Sequence, residues 1–125
     1  MKEINPYETT RGRQFEIWKN APNPMLTFVK KIDVTRLVRI SKKKHLKFNM
    51  LFDYCIGKAA LQQKEFYLLP VGDKLMQFDK IAINTMVKNR MGEVSSCDIE
   101  FQGDFESYCR DYMKYTTEVA MSCAD

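Results

Sequence analysis

The apolar positions of the 125-residue chain change period several times, and each change marks an element. Residues 1–9 are polar and read as extended, with Pro6 early. Phe15 and Trp18 fall three apart, which predicts a short helix over about residues 10–20, with Thr9 or Thr10 as its cap. Pro22 and Pro24 stop that helix and force extended backbone. In Met25–Ile32, Leu26, Phe28 and Ile32 alternate with Thr27 and Lys31, the pattern of a strand. Asp33 then suits the N-cap of a helix that places Val34, Leu37, Val38 and Ser41 on one face and ends in Lys42, Lys43 and Lys44.

From Asn49 to Lys64 a second long helix is expected. Leu51, Phe52, Cys55, Ile56, Ala59 and Ala60 make its apolar face, and Met50, Tyr54 and Leu61 widen it. Gly57 inside this helix costs about 1 kcal/mol against alanine, which a close helix–sheet approach would offset. Next, Gly72-Asp73 sits between two short apolar runs and predicts a two-residue hairpin turn, with Pro70 confining its strand to an edge. Ile81–Lys88 alternates strictly, Gly92 marks a bend, and Val94–Phe101 reads as a further strand. After Gly103-Asp104, a stripe of Phe105, Tyr108, Cys109, Tyr112, Thr116, Val119 and Ala120 is the clearest helical periodicity in the chain. The order gives an α+β fold: a mixed, largely antiparallel sheet with helices packed on one face. Nothing marks an internal boundary, so residues 1–125 read as a single domain or a partial one.

Composition narrows the function. Hydrophobic residues make up 45% and charged residues 29%, as in a globular chain. The net charge of +4 is dispersed except at Lys42, Lys43, Lys44 and Lys47. A solvated helix end explains that cluster more simply than an anionic partner, so no nucleic-acid partner is expected. No apolar leader and no run near the ~18 residues of a membrane span occur, which gives no membrane partner and a cytoplasmic location as the expectation. Cys55, Cys97, Cys109 and Cys123 have no metal-ligand spacing, so no metal is expected, and Cys55 and Cys109 read as buried free thiols.

Catalytic signatures are scarce. There is no phosphate-binding glycine loop and no nucleophile elbow. His45 is the only histidine, in "KKKHLKF", and reads as a neutral surface group. Asp98 and Glu100 share a strand face as a possible carboxylate pair or a solvated edge. Trp18 fits either a core or the wall of a binding site, and Arg11 reads as a surface arginine.

The joint order of "RGRQFEIWKNAPNPMLTFVKKIDVTRL", "KHLKFNMLFDYCIGKAA", "EFYLLPVGDKLMQFDKI" and "VSSCDIEF" with "DFESYCRDYMKY" resembles the N-terminal half of the chloramphenicol acetyltransferase family. The resemblance covers residues 8–118 and implies that family's CoA-dependent acyltransferase fold, incomplete here. In the family a histidine of a C-terminal H-H-x-x-x-D-G motif deprotonates an acceptor hydroxyl, which attacks acetyl-CoA, the co-substrate. The given sequence does not include that motif, so catalytic residues are expected to be none, activity of the chain alone is not expected, and acetyl-CoA is not expected to stay bound. The resemblance also implies a homo-oligomer, a trimer, with the acceptor pocket at a subunit boundary. Residue by residue, it places Ile17, Trp18, Pro22, Pro24 and Leu26 on acceptor-binding positions and Arg11 on a structural position near the site. The family's aromatic pair is Ile17-Trp18 here, a small or thiol-bearing position is Pro24, and an aromatic one is Leu26. The acceptor that the resemblance implies is chloramphenicol or a similar small hydroxylated molecule, and these departures leave a different hydroxylated acceptor open. The alternative is a degenerate member acting as a non-catalytic binding or assembly domain.

Overall fold

In the computed structural model, which describes residues 1–122, the chain divides into two compact units. The first comprises Met1–Asp33 and Lys64–Asp79; the second comprises Val34–Gln63 and Lys80–Asp125.

The first unit is a three-stranded antiparallel sheet with one short helix. β1 (Lys2–Ile4), β2 (Leu68–Val71) and β3 (Lys74–Gln77) lie in the order β1-β3-β2. The hairpin turns at Gly72-Asp73, where Val71 faces Lys74. Gly72 has φ +62, the left-handed value that a two-residue turn requires at its first central position. Pro70 lies on β2, which is an edge strand, so its missing N–H costs no ladder bond. The helix α1 spans Gly12–Lys19 and buries Phe15. Its N-cap is Arg11, which makes no side-chain cap bond; Thr9 contributes one step earlier, accepting from the Arg11 N–H at 3.1 Å.

The alternating run at residues 25–32 forms no strand. Phe28 is 83% and Val29 96% exposed. Alternation supplies the side chains of a strand, but a strand exists only where its backbone finds a ladder, and none of the described ladders includes these residues.

The second unit holds α2 (Thr35–Lys44), α3 (Phe48–Leu61), β4 (Ile81–Lys88), β5 (Val94–Phe101) and α4 (Phe105–Met121). β4 and β5 pair antiparallel along their full length, from Ile81 opposite Phe101 to Lys88 opposite Val94. All described strand pairs are antiparallel. On β5 every second residue, Ser95, Cys97, Ile99 and Phe101, is buried. The α4 residues Tyr108, Tyr112 and Thr116 are buried, and Met50 of α3 joins the same core. Phe101 meets Tyr108 edge to face at 5.4 Å and Tyr54 at 5.6 Å, the geometry aromatic quadrupoles favour. α4 starts where expected: Asp104 accepts from the Ser107 N–H at 2.9 Å.

Two readings of the helices change. α2 takes Val34, not Asp33, as its N-cap, a shift of one residue. α3 buries Met50, Gly57 and, as expected, Leu51, half-buries Tyr54 and Leu61, and leaves Cys55 and Ile56 of the expected face exposed. α3 is apolar nearly all round, so periodicity cannot choose its buried face; packing does. Gly57 marks that face. A Cβ there would lie 2.8 Å from the Phe101 ring and 3.0 Å from Ile83, so only glycine lets the helix approach the strands this closely.

Candidate functional site

α1 and the β2–β3 hairpin of the first unit enclose an open cleft of about 800 Å³. Its apolar lining comes from Phe15 and Trp18 on α1, Pro24 and Leu26 just beyond it, and Leu68, Pro70 and Leu75 on the hairpin. Sequence dictates each contribution. The i, i+3 spacing brings Phe15 and Trp18 to one side of α1. Phe15 is buried as an anchor, while Trp18 stays 41% exposed. Pro22 and Pro24 break the helix so that Leu26 returns to the same wall. Leu75 is buried, between the exposed Lys74 and the half-buried Met76 on β3.

The polar lining is Arg11, Gln14, Lys19 and Glu65. Lys19 pairs with Glu16 at 3.2 Å and lies 5.6 Å from the centre of the Phe15 ring. Glu65 accepts from the Thr10 hydroxyl at 3.1 Å. A hydrogen bond from its own backbone, the Thr10 hydroxyl and the nearby positive charges of Arg11 and Lys64 hold its carboxyl below the usual range, so it is ionised at neutral pH. The cleft thus offers an apolar slot sized for a small molecule and a polar rim of opposite charges.

Of the residues singled out in the sequence, Arg11, Trp18, Pro24 and Leu26 line this one cleft. Ile17, 58% exposed, and Pro22, also exposed, are not among its lining residues. Glu65, Leu68, Pro70 and Leu75 were not singled out as site residues. Their part depends on two segments about fifty residues apart in the chain lining one cleft, which no local periodicity encodes.

Other candidates resolve into structural roles. His45 belongs to the second unit and closes α2 in the left-handed conformation, φ 54 and ψ 42. The Leu46 N–H reaches back to the Ser41 carbonyl at 3.0 Å, the bond pattern that usually recruits glycine at this place. Asp98 accepts from the Asn84 side chain at 2.7 Å, and Glu100 pairs with Lys80 at 2.9 Å, so neither carboxylate is free for acid–base work. Cys97 is buried and Cys109 half-buried, and burial pushes both thiols up, which keeps them protonated. Cys55 is exposed instead of buried, because α3 turns its other side inward; Cys123 lies outside the described residues. Among the described residues no group of three His, Cys, Asp or Glu side chains is placed to hold a metal ion, and no helix is long and apolar enough to cross a membrane.

Comparison with known proteins bears on this architecture. The family described as "Chloramphenicol acetyltransferase" matches residues 2–124. A solved structure titled "chloramphenicol acetyltransferase" superposes with a TM-score of 0.81 at 16% sequence identity, covering 99% of this chain and 58% of that one. At that identity the superposition speaks for the fold alone. The chain spans less than two thirds of that structure's length. A search of curated proteins gives no significant match.

Proposed function

The chain belongs to the chloramphenicol acetyltransferase family, and from that premise we propose that its first unit is the acceptor side of a CoA-dependent O-acetyl transfer. In such a transfer an acceptor hydroxyl attacks the thioester carbonyl of acetyl-CoA. A C–O bond forms, the C–S bond breaks, and a base takes the hydroxyl proton. The residues of the cleft have no histidine among them, and their role is to hold and orient the acceptor. The observation that supports this reading most is the convergence of Trp18, Pro24, Leu26 and Arg11 on one slot of about 800 Å³. Apolar walls favour an aromatic or aliphatic body, and the polar rim suits a small acceptor's hydroxylated end.

Titration with chloramphenicol should give a saturable change in the emission of Trp18, the only tryptophan. A flat titration over the accessible concentration range, repeated with other small hydroxylated aromatics, would remove the acceptor assignment. Free-thiol release from acetyl-CoA should stay at background for the chain alone, since a general base contributes about 10²–10⁴-fold. Turnover that His45→Ala abolishes would overturn the placement of His45 as a helix cap without chemistry. Background turnover with saturable binding also fits the second reading, a binding domain.

The same family premise leads us to propose self-association. It is supported by the bare apolar side chains of Met25, Phe28, Val29 and Ile32, each 60% exposed or more. Light scattering should report a mass above one chain, and a strictly monomeric protein at high concentration would count against it.

A further inference from the structure

Most of the cleft's charge is already committed or balanced. Lys19 lines the cleft already paired with Glu16 at 3.2 Å, and Arg11 is the other cation of its lining. Glu65 lines the same cleft, and its carboxylate is fixed by the Thr10 hydroxyl at 3.1 Å, from the residue next to Arg11 in the chain. We propose that Glu65 is a specificity-determining residue of this cleft: set against Arg11, it turns the polar end into one donor and one acceptor, which take a neutral hydroxyl or amide and turn away a carboxylate. The inference rests on the acceptor reading above and deepens it.

The physical reason is charge balance. A lone arginine on an apolar slot draws anions and pairs with carboxylates by bidentate hydrogen bonds. An ionised carboxylate on the same rim removes that preference, because an anionic ligand end gains from Arg11 what it loses to Glu65. A hydroxyl meets no such conflict; it donates to Glu65 and accepts from Arg11. The depressed pKa of Glu65, caused first by its own backbone hydrogen bond and then by Thr10 and Arg11, keeps this balance in place at neutral pH.

Three probes with one aromatic body separate the cases: benzyl alcohol, benzoate and benzylammonium, titrated against Trp18 emission at low salt. In Glu65→Gln the affinity for benzoate relative to benzyl alcohol should rise about threefold, the size of a solvent-screened charge contact, and benzylammonium should weaken. Arg11→Gln should move both in the opposite direction, which keeps the inference testable if one variant fails to fold. Probes that bind with the same relative affinities in all three proteins would overturn the role of Glu65 while leaving the acceptor cleft standing. If none of the probes moves Trp18 in the wild-type chain, the acceptor reading falls, and this inference with it.

Discussion

Phe101, in the second unit, is 2% exposed between the rings of Tyr54 and Tyr108, whereas Trp18, in the first, is 41% exposed on the wall of a cleft. Both are large aromatics in runs that look amphipathic. Their surroundings differ in kind. Phe101 belongs to a layer in which β5 alternates buried and exposed residues without a break, backed by two helices. Trp18 belongs to an eight-residue helix whose sheet has strands of only three and four residues. The second unit spends its apolar surface on a closed core. The first leaves much of its own surface accessible, and that open surface is what a ligand or another subunit can use.

The sharpest test of this contrast is a matched pair of truncations. Phe101→Ala should cost roughly 3–5 kcal/mol of unfolding free energy, as buried aromatics do, read by denaturant titration. Trp18→Ala should cost about 1 kcal/mol, nearer the surface range, and should instead abolish any rise in unfolding midpoint that chloramphenicol produces in the parent chain. Equal costs for the two substitutions would erase the distinction between core and cleft. A Trp18→Ala chain that still responds to the ligand would move the binding site elsewhere.

The same contrast explains what could be read from the sequence. Ile81–Lys88 and Val94–Phe101 were legible to the residue, because a strand buried on one face must alternate. The α4 stripe and the Asp104 cap were equally plain, since both are local. Residues 25–32 alternate just as well and yet form no strand, because pairing depends on a partner that the segment itself does not specify. β1 was read only as extended polar chain; its strand character comes from its register with β3, where Ile4 faces Leu75. α3 failed in a different way: with apolar residues on every side, its inward face was fixed by Gly57 against Phe101 and not by spacing. At the cleft, the α1 wall was visible through Trp18, Pro24 and Leu26, while Glu65 had no local signal at all. The Asn89 side chain, which accepts from the N–H groups of Met91 and Glu93 and so shapes the β4–β5 turn, was likewise passed over for the more conspicuous Gly92.

A smaller effect probes the closed core from its polar margin. Asp53 sits on α3, and burial pushes its carboxyl above the ordinary value of 3.8. The Asp53 charge in turn helps to push the Tyr108 and Tyr112 hydroxyls up, so the charged form faces the core across from α4. A carboxyl whose folded pKa exceeds its unfolded one binds a proton more readily when folded. Its ionisation therefore opposes folding: the penalty is absent below the unfolded pKa and is fully present once the pH has risen through the folded value. Asp53→Asn removes the charge and keeps the shape. The variant should be more stable than the parent at pH 7, and the gap should close as the pH falls toward 4, with thermal melts across that range as the measurement. An asparagine chain that is no more stable at pH 7, or one whose advantage does not shrink in acid, would mean that the carboxylate is stabilised in the fold, and the second unit would then tolerate a charge at its core margin as readily as the first tolerates Arg11 and Glu65 at its cleft.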